Sequence, residues 1–262
     1  MNILTDIIVY PIKSLGSVSL TGSYAESRGF QNDRRLMLVD ESGRFLSQRT
    51  QPNMTGFRIS LYENGIQVKY KGEEINILFD HHSDTFRPVS IWKDQLMVPE
   101  VSSNYSDWFS DQLKMKCYLV AMSKYTLRPV DTKYAKNNES VSFADGFPYL
   151  IIGSGSLDDL NSRLEKPIPM NRFRPNLVIN TDSPFIEDTF DKFRIGSAIF
   201  KVVKPCSRCV ITTIDQDSGI KGNEPLATLS MYRKKENKVN FGQNLICVKE
   251  GIVQVGEKVN LL

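Results

Sequence analysis

The feature that most constrains this chain is a pair of alternating runs facing each other across Glu63-Asn64-Gly65. Phe57-Arg58-Ile59-Ser60-Leu61-Tyr62 alternates apolar and polar side chains, and Ile66-Gln67-Val68-Lys69-Tyr70 does so again. Period-two alternation turns one face of a strand toward a core, and Asn-Gly between two such runs is a strong hairpin signal. The first hundred residues continue in the same manner. Ile7-Ile8-Val9-Tyr10, Val18-Ser19-Leu20 and Leu36-Met37-Leu38-Val39 read as strands, and Asp40-Glu41-Ser42-Gly43 reads as a turn into Arg44-Phe45-Leu46-Ser47. Strands this short and regular imply a small barrel or sandwich.

Helical spacing is confined to a few places. Tyr105, Trp108, Phe109 and Leu113 fit one short amphipathic helix, with Trp108 a core anchor. Residues 126–139, polar and carrying Pro129, read as a linker, which puts a boundary between 120 and 140. Beyond it, Tyr149-Leu150-Ile151-Ile152 is a buried-looking strand. Ser156 is the expected N-cap of a helix through Leu157-Asp158-Asp159-Leu160, with both acids in the first turn. Leu177-Val178-Ile179 is a further strand, Pro225 starts a helix running to about Arg233, and residues 240–248 and 251–256 close the chain as strands. The expected class is mainly β with a few short helices, an α+β chain of two units spanning residues 1–120 and 121–262.

Charge narrows the function classes. Lys+Arg 33 against Asp+Glu 30 leaves +3, too nearly balanced to argue for nucleic acid. No apolar run approaches the length of a membrane span. Four cysteines and a start, Met1-Asn2-Ile3-Leu4-Thr5-Asp6, without secretory character point to a reducing, cytoplasmic setting.

Chemistry concentrates in Lys204-Pro205-Cys206-Ser207-Arg208-Cys209-Val210-Ile211-Thr212-Thr213-Ile214-Asp215. A cysteine acts as nucleophile or metal ligand only as thiolate, which neighbouring cations such as Lys204 and Arg208 favour. Pro205 is expected to break the strand and present the pair on a loop. Three plainer readings compete with this one. Half of a zinc site lacks its second pair, since Cys117 and Cys247 are isolated and only His81 and His82 remain. A redox pair wants a strand-to-helix turn, whereas Val210-Ile211-Thr212-Thr213-Ile214 reads as a strand. Two inert buried cysteines are the third.

Three basic pieces are candidate anion seats. Tyr10-Pro11-Ile12-Lys13-Ser14 ends a strand with an ammonium and a hydroxyl. Arg28-Gly29-Phe30-Gln31-Asn32-Asp33-Arg34-Arg35 brings three guanidiniums to a glycine turn. In Asn171-Arg172-Phe173-Arg174-Pro175-Asn176 two arginines point the same way if the piece is extended. A solvated basic rim accounts for the same residues.

Taken together and in this order, these motifs resemble the MOSC family, the molybdenum cofactor sulfurase C-terminal domain proteins, with likeness to YcbX-type proteins and the mitochondrial amidoxime-reducing component. The resemblance covers nearly the whole chain. It rests on Tyr-Pro-Ile-Lys-Ser, Asn-Asp-Arg-Arg, Ile91-Trp92, Trp108-Phe109-Ser110, Asp145-Gly146-Phe147-Pro148, Arg174-Pro175-Asn176, Pro205-Cys206-Ser207-Arg208-Cys209, Thr212-Thr213-Ile214-Asp215, Glu224-Pro225-Leu226 and Phe241-Gly242-Gln243-Asn244. It implies an N-terminal β-barrel domain followed by a MOSC β-barrel domain.

The resemblance further implies a molybdenum cofactor, molybdenum held by one pterin dithiolene, with Cys209 as the protein's metal ligand. Thiolate is a suitably soft donor. Cys206 would stand behind that sulfur, and Arg208 is counted among the cofactor-binding residues. Lys13, Ser14, Arg34, Arg174 and Asn176 would hold the pterin, and Asp145 and Asp215 match acids near the metal, as orienters or proton donors. The implied reaction is two-electron reduction of N-hydroxylated compounds such as amidoximes, hydroxylamines and N-hydroxylated bases. Ending at Leu262 without a clustered cysteine set for an iron–sulfur centre, the chain is expected to draw electrons from a separate flavoprotein, ferredoxin or small haem protein, as a bacterial cytoplasmic version. A cofactor carrier or sulfur relay, with a persulfide on the Cys206/Cys209 pair, is the alternative.

Overall fold

A computed structural model describes residues 2–79, 81–135 and 139–262. Of the expected linker, residues 136–138 lie outside these, as does Met1. The class is as expected: the described residues are mainly strand, with three α-helices, Ser103–Leu113, Ser154–Asn161 and Leu226–Tyr232.

The largest sheet has nine strands and runs, edge to edge, Asn260–Leu261, Lys192–Ile195, Ala198–Ser207, Lys238–Lys249, Tyr149–Gly153, Leu177–Asn180, Ile3–Val9 and Val18–Leu20, with Lys234–Lys235 paired beside Lys238–Lys249. Tyr149–Gly153 and Leu177–Asn180 are parallel, and their neighbours are antiparallel. The first strands of residues 1–120 thus share a sheet with strands of residues 121–262. Gly22–Glu26 likewise pairs with Gly251–Gln254. The apolar sides of these strands bury Ile7, Tyr149, Ile151, Leu177, Phe193, Phe200 and Leu245 in one core. A second core gathers Ile12, Met54, Phe57, Val68, Phe109 and Leu119, with Phe57 stacked on Tyr70 at 4.1 Å. Each large apolar side chain buried this way stabilises by roughly 1.5–3 kcal/mol.

The hairpin at Glu63-Asn64 forms, pairing Tyr62 with Gly65. Glycine is needed there for space, not for a left-handed turn. Its φ is not positive, and a Cβ at Gly65 would stand 2.2 Å from the Ile77 carbonyl oxygen and 2.7 Å from the Tyr62 hydroxyl.

Four local expectations are corrected. The strand does not break at Pro205 but runs from Ala198 through Ser207. Its partner Lys192–Ile195 ends opposite residues 198–201, and register shifts bracket Lys204 and Pro205 on the other side. A proline without an N–H is tolerated at such bulges. Val210–Thr213 is a 3-10 helix instead of a strand. There the Thr212 and Thr213 hydroxyls donate to the carbonyls of Cys209 and Val210, a local satisfaction that overrides β-branched propensity. Ser156 is no N-cap: its helix begins at Ser154 after Gly153. Arg172-Phe173-Arg174 is not extended, since Met170–Arg172 is a 3-10 turn and Arg174 has φ 54°.

Candidate functional site

A cleft enclosing about 820 Å3 of non-protein space, part of it open to solvent, lies where stretches from both halves of the sequence meet. The turn after Ile3–Val9 brings Lys13 and Ser14, the loop before Leu36–Val39 brings Arg34, and Arg49 reaches in from the turn ahead of Pro52–Gly56. From the second half come Asp145, Arg174, Asn176, Cys206, Arg208 and Cys209. Of the ten site residues expected from sequence, nine line this cleft. Asp215 does not.

Backbone ties hold the first wall in place. Asp33, fully buried, accepts from the Tyr10 N–H at 2.8 Å and from Arg34 Nη1 at 2.7 Å, while the Arg34 N–H donates to the Tyr10 carbonyl at 2.9 Å. Arg34 Nη1 also reaches Asn176 Oδ1 at 3.1 Å, and Asn176 Nδ2 donates to the Ile8 carbonyl at 3.0 Å. Asn176 therefore positions Arg34 and locks two strands together. The guanidiniums of Arg34 and Arg174 both stack on the Tyr10 ring, at 4.2 and 4.1 Å. Burial pushes the Tyr10 hydroxyl up to about 12 and the Arg174 guanidinium down to about 10. Three lining residues, Ser14 (φ 67°), Arg34 (φ 48°) and Arg174 (φ 54°), hold left-handed backbone, which non-glycine residues occupy at a cost.

Beside them runs a chain of charges. Lys13, 5% exposed, donates from Nζ to the Phe143 carbonyl at 2.8 Å and to Asp145 Oδ1 at 2.5 Å. Arg49 Nη2 lies 3.3 Å from Asp145 Oδ2 and 3.5 Å from Cys209 Sγ. Burial lowers Lys13 to about 8, against the attraction of Asp145. For Asp145, burial raises its carboxyl, but Lys13, Arg49 and Arg34 outweigh that and hold it well below the usual carboxylate range. The Asp145 side chain is 55% exposed, so it presents a stable negative charge to whatever enters the cleft.

The two neighbouring cysteines differ. Cys209 is exposed in the cleft, at the start of the 3-10 turn. Cys206, half-buried on its strand, receives Arg208 Nη1 at 2.8 Å, and Arg208 Nη2 donates to the Phe173 carbonyl at 2.5 Å. Cys117 and Cys247 are core residues whose thiols burial pushes up to about 11 and about 12.

Several basic residues flagged in the sequence serve the fold instead. Arg28 and Arg35 bind Glu26, and Arg172 donates to the Thr212 and Glu224 carbonyls with Asp215 Oδ2 at 3.6 Å. Asp215 Oδ1 accepts from Ser218 and Asp217 in its own turn. Tyr10, Asp33 and Arg49 were not singled out by sequence reasoning. Tyr10 and Asp33 sit inside the quoted motifs, but Arg49 carries no local signal at all.

The lining suits a molybdenum–pterin group. Among the residues lining the cleft, Cys209 presents an exposed soft donor, and Lys13, Arg34, Arg49, Arg174 and Arg208 supply cations for an anionic tail. Arg174 Nη2 and Arg208 Nε are buried with no hydrogen-bond partner among the described residues. Buried donors are paired in all but a few cases, and two such donors on residues lining this cleft fit an anionic group there.

Residues 138–260 match the family described as MOSC domain, and residues 1–116 match the MOSC N-terminal beta barrel domain. The chain is 32% identical to a molybdenum cofactor sulfurase of Oryza sativa subsp. japonica, over 91% of this chain but 32% of the sulfurase. It is 31% identical to mitochondrial amidoxime reducing component 2 of Rattus norvegicus, over 96% of this chain and 80% of that protein. Against mitochondrial amidoxime-reducing component 1 of Homo sapiens the identity is 28%, covering 97% and 81%. This chain therefore spans about a third of the rice sulfurase and most of the amidoxime-reducing components.

Proposed function

The chain belongs to the MOSC family, and from that premise we propose that it is a molybdenum-cofactor-dependent reductase of N-hydroxylated compounds such as amidoximes, hydroxylamines and N-hydroxylated bases. One observation carries the reading: the exposed thiol of Cys209 shares a cleft with the unpaired buried donor of Arg174, so a soft metal donor and an anion seat face one space. In this reading Cys209 is the metal ligand. Arg174, Arg34 and Ser14 hold the pterin and its anionic tail, while Asn176 keeps Arg34 in position. Arg208 fixes Cys206 behind the ligand sulfur.

When bound, the cofactor supplies two-electron redox chemistry, with electrons delivered by a separate donor protein. This chain's own groups handle protons and orientation. Asp145 stays ionised, which makes it an acceptor for the N–H and O–H groups of an amidoxime and rules it out as the proton source at neutral pH. Lys13, at about 8, holds a proton at Nζ near neutrality and can release it, which suits an acid serving the departing hydroxyl. Arg49 joins the substrate acceptor to the ligand sulfur. Overall, an amidoxime with two electrons and two protons gives the amidine and water.

No helix among the described residues is long and apolar enough to cross a membrane. The cytoplasmic setting and the identity of the donor as flavoprotein, ferredoxin or small haem protein belong to the proposal. The test is anaerobic turnover of benzamidoxime by molybdenum-loaded protein with a reduced viologen. Benzamidine formation is expected, and its absence from loaded protein overturns the substrate assignment. The short contact from Arg208 to Cys206 Sγ favours a second reading, a carrier or sulfur relay with persulfide on the cysteine pair. Cyanide-labile sulfur on Cys206 or Cys209 would support it.

A further inference from the structure

Trp92 stands at the tip of a hairpin in which Phe86–Ile91 pairs with Asp94–Pro99, Ile91 opposite Asp94. That register leaves a two-residue turn, Trp92-Lys93, and Trp92 occupies it with φ 57°. Such a position is ordinarily filled by glycine, asparagine or aspartate, because a bulky side chain is strained there. The ring gains little burial in return: Trp92 is 56% exposed. A strained, exposed indole in a turn that asparagine would fill more comfortably is not explained by folding.

Its neighbours explain it better. The Arg49 guanidinium lies 4.8 Å over the indole, and the same guanidinium touches Asp145 and Cys209. The Phe45 ring stands against Trp92 at 5.2 Å and 66°, and Lys13 Nζ lies 4.8 Å over Phe45. One guanidinium thus spans the distance from the indole to the exposed thiol, and the two aromatic rings back the two cations flanking Asp145. The hairpin is anchored there by the Ser90 N–H, which donates to the Gly43 carbonyl at 2.8 Å.

We propose that Trp92, backed by Phe45, is a stacking platform beside the cleft that selects N-hydroxylated compounds carrying a planar aromatic group over small aliphatic ones. It rests on the reductase reading for the N-hydroxyl group, and on its own geometry for the ring. An aromatic group stacked on the indole places the attached N-hydroxyamidine carbon toward Arg49 and Asp145, which accepts its N–H. A small hydroxylamine reaches Asp145 without using the ring.

The experiment has two arms. The chain has two tryptophans, so Trp108→Phe leaves Trp92 as the sole indole. Benzamidoxime titrated into that protein should quench its fluorescence saturably, and N-methylhydroxylamine should not. In molybdenum-loaded protein, Trp92→Asn keeps a turn-compatible residue and removes the ring. It should raise the KM for benzamidoxime about tenfold more than that for N-methylhydroxylamine, with Trp92→Tyr restoring most of the difference. Its melting temperature should equal or exceed that of the wild type, separating lost stacking from lost structure. Absence of quenching, or equal loss on both substrates, overturns the platform. Saturable quenching without any turnover of loaded wild-type protein supports the platform and overturns the reductase reading instead.

Discussion

Arg49 Nη2 lies 3.5 Å from Cys209 Sγ, across a sequence separation of 160 residues, and holds Asp145 Oδ2 at 3.3 Å with the same nitrogen. The contact couples the exposed thiol to the one carboxylate at the cleft mouth. Removing it frees the thiol and leaves Asp145 held by Lys13 alone among the described residues. Charge-assisted hydrogen bonds contribute roughly 1.5–3 kcal/mol, so Arg49→Ala is expected to lower kcat/KM for benzamidoxime about 10- to 100-fold. Arg49→Lys keeps the charge but cannot present a planar fork to sulfur and carboxylate together, and should recover only part of the loss. Steady-state kinetics on preparations matched for molybdenum content would check this.

The two cysteines should separate cleanly. Cys209 faces the cleft unencumbered except for Arg49, whereas Cys206 is engaged by Arg208 on its strand. Cys209→Ser is expected to abolish molybdenum retention, and Cys206→Ser to retain the metal with reduced turnover. Elemental analysis together with fluorescence of the oxidised pterin, on protein from a cofactor-proficient host, is the measurement. Loss of metal from the Cys206 variant alone would reverse the assignment of ligand and neighbour.

How much of this was legible beforehand depends on the range of the interactions involved. The hairpin at residues 57–70 follows from local alternation and the strand at Leu36–Val39 from a continuous apolar run, buried at every position, and the structure has both where the pattern does. Lys13, Arg34, Arg174 and the cysteine pair were nominated because each sits in a dense chemical motif. Arg49 was not: its neighbours Ser47-Gln48 and Thr50-Gln51 carry no motif, and its importance arises only when the fold brings residues 145 and 209 beside it. Local propensity also failed where hydroxyls bond back to the chain. Val210–Thr213 is rich in β-branched residues, yet its threonines satisfy carbonyls three residues earlier and close a 3-10 turn. Arg172 and Asp215 were read as site residues or anion seats because spacing cannot tell a side chain facing a cleft from one facing carbonyls behind it.

Lys13 gives a pH prediction with a definite sign. Burial lowers its pKa from 10.5 to about 8, so across that window the unfolded chain binds the proton more tightly than the folded one. Stability contributed through this group therefore rises with pH from about 8 to 10.5. Below about 8 the fold carries the full penalty of a buried ammonium, on the order of 3 kcal/mol. Urea denaturation of wild type and Lys13→Met at pH 7 and pH 10 isolates the effect. The stability of Lys13→Met relative to wild type should be higher at pH 7 than at pH 10. Turnover by the wild type should fall as pH rises through about 8, as the ammonium is lost. A pH-independent difference between the two proteins would remove Lys13 as a titrating group in the cleft.

Ser156 distinguishes a cap from a buried hub. As a helix N-cap it would tolerate aspartate, one of the best capping residues. In the structure it is fully buried, donates to Glu187 Oε1 and Oε2 at 2.8 and 2.9 Å, and accepts from the Phe185 N–H at 2.8 Å. Glu187 is itself fully buried; burial raises its carboxyl pKa, and the Ser156 hydroxyl with backbone N–H groups pulls it back down, so this position serves the carboxyl as a donor. Ser156→Ala should cost about 1–3 kcal/mol by removing one donor to a buried carboxyl and the acceptor of the Phe185 N–H. Ser156→Asp should cost more, because it sets a second carboxylate against the first at a fully buried position. Thermal and urea denaturation of the two variants decides the matter, since a capping role predicts the opposite order.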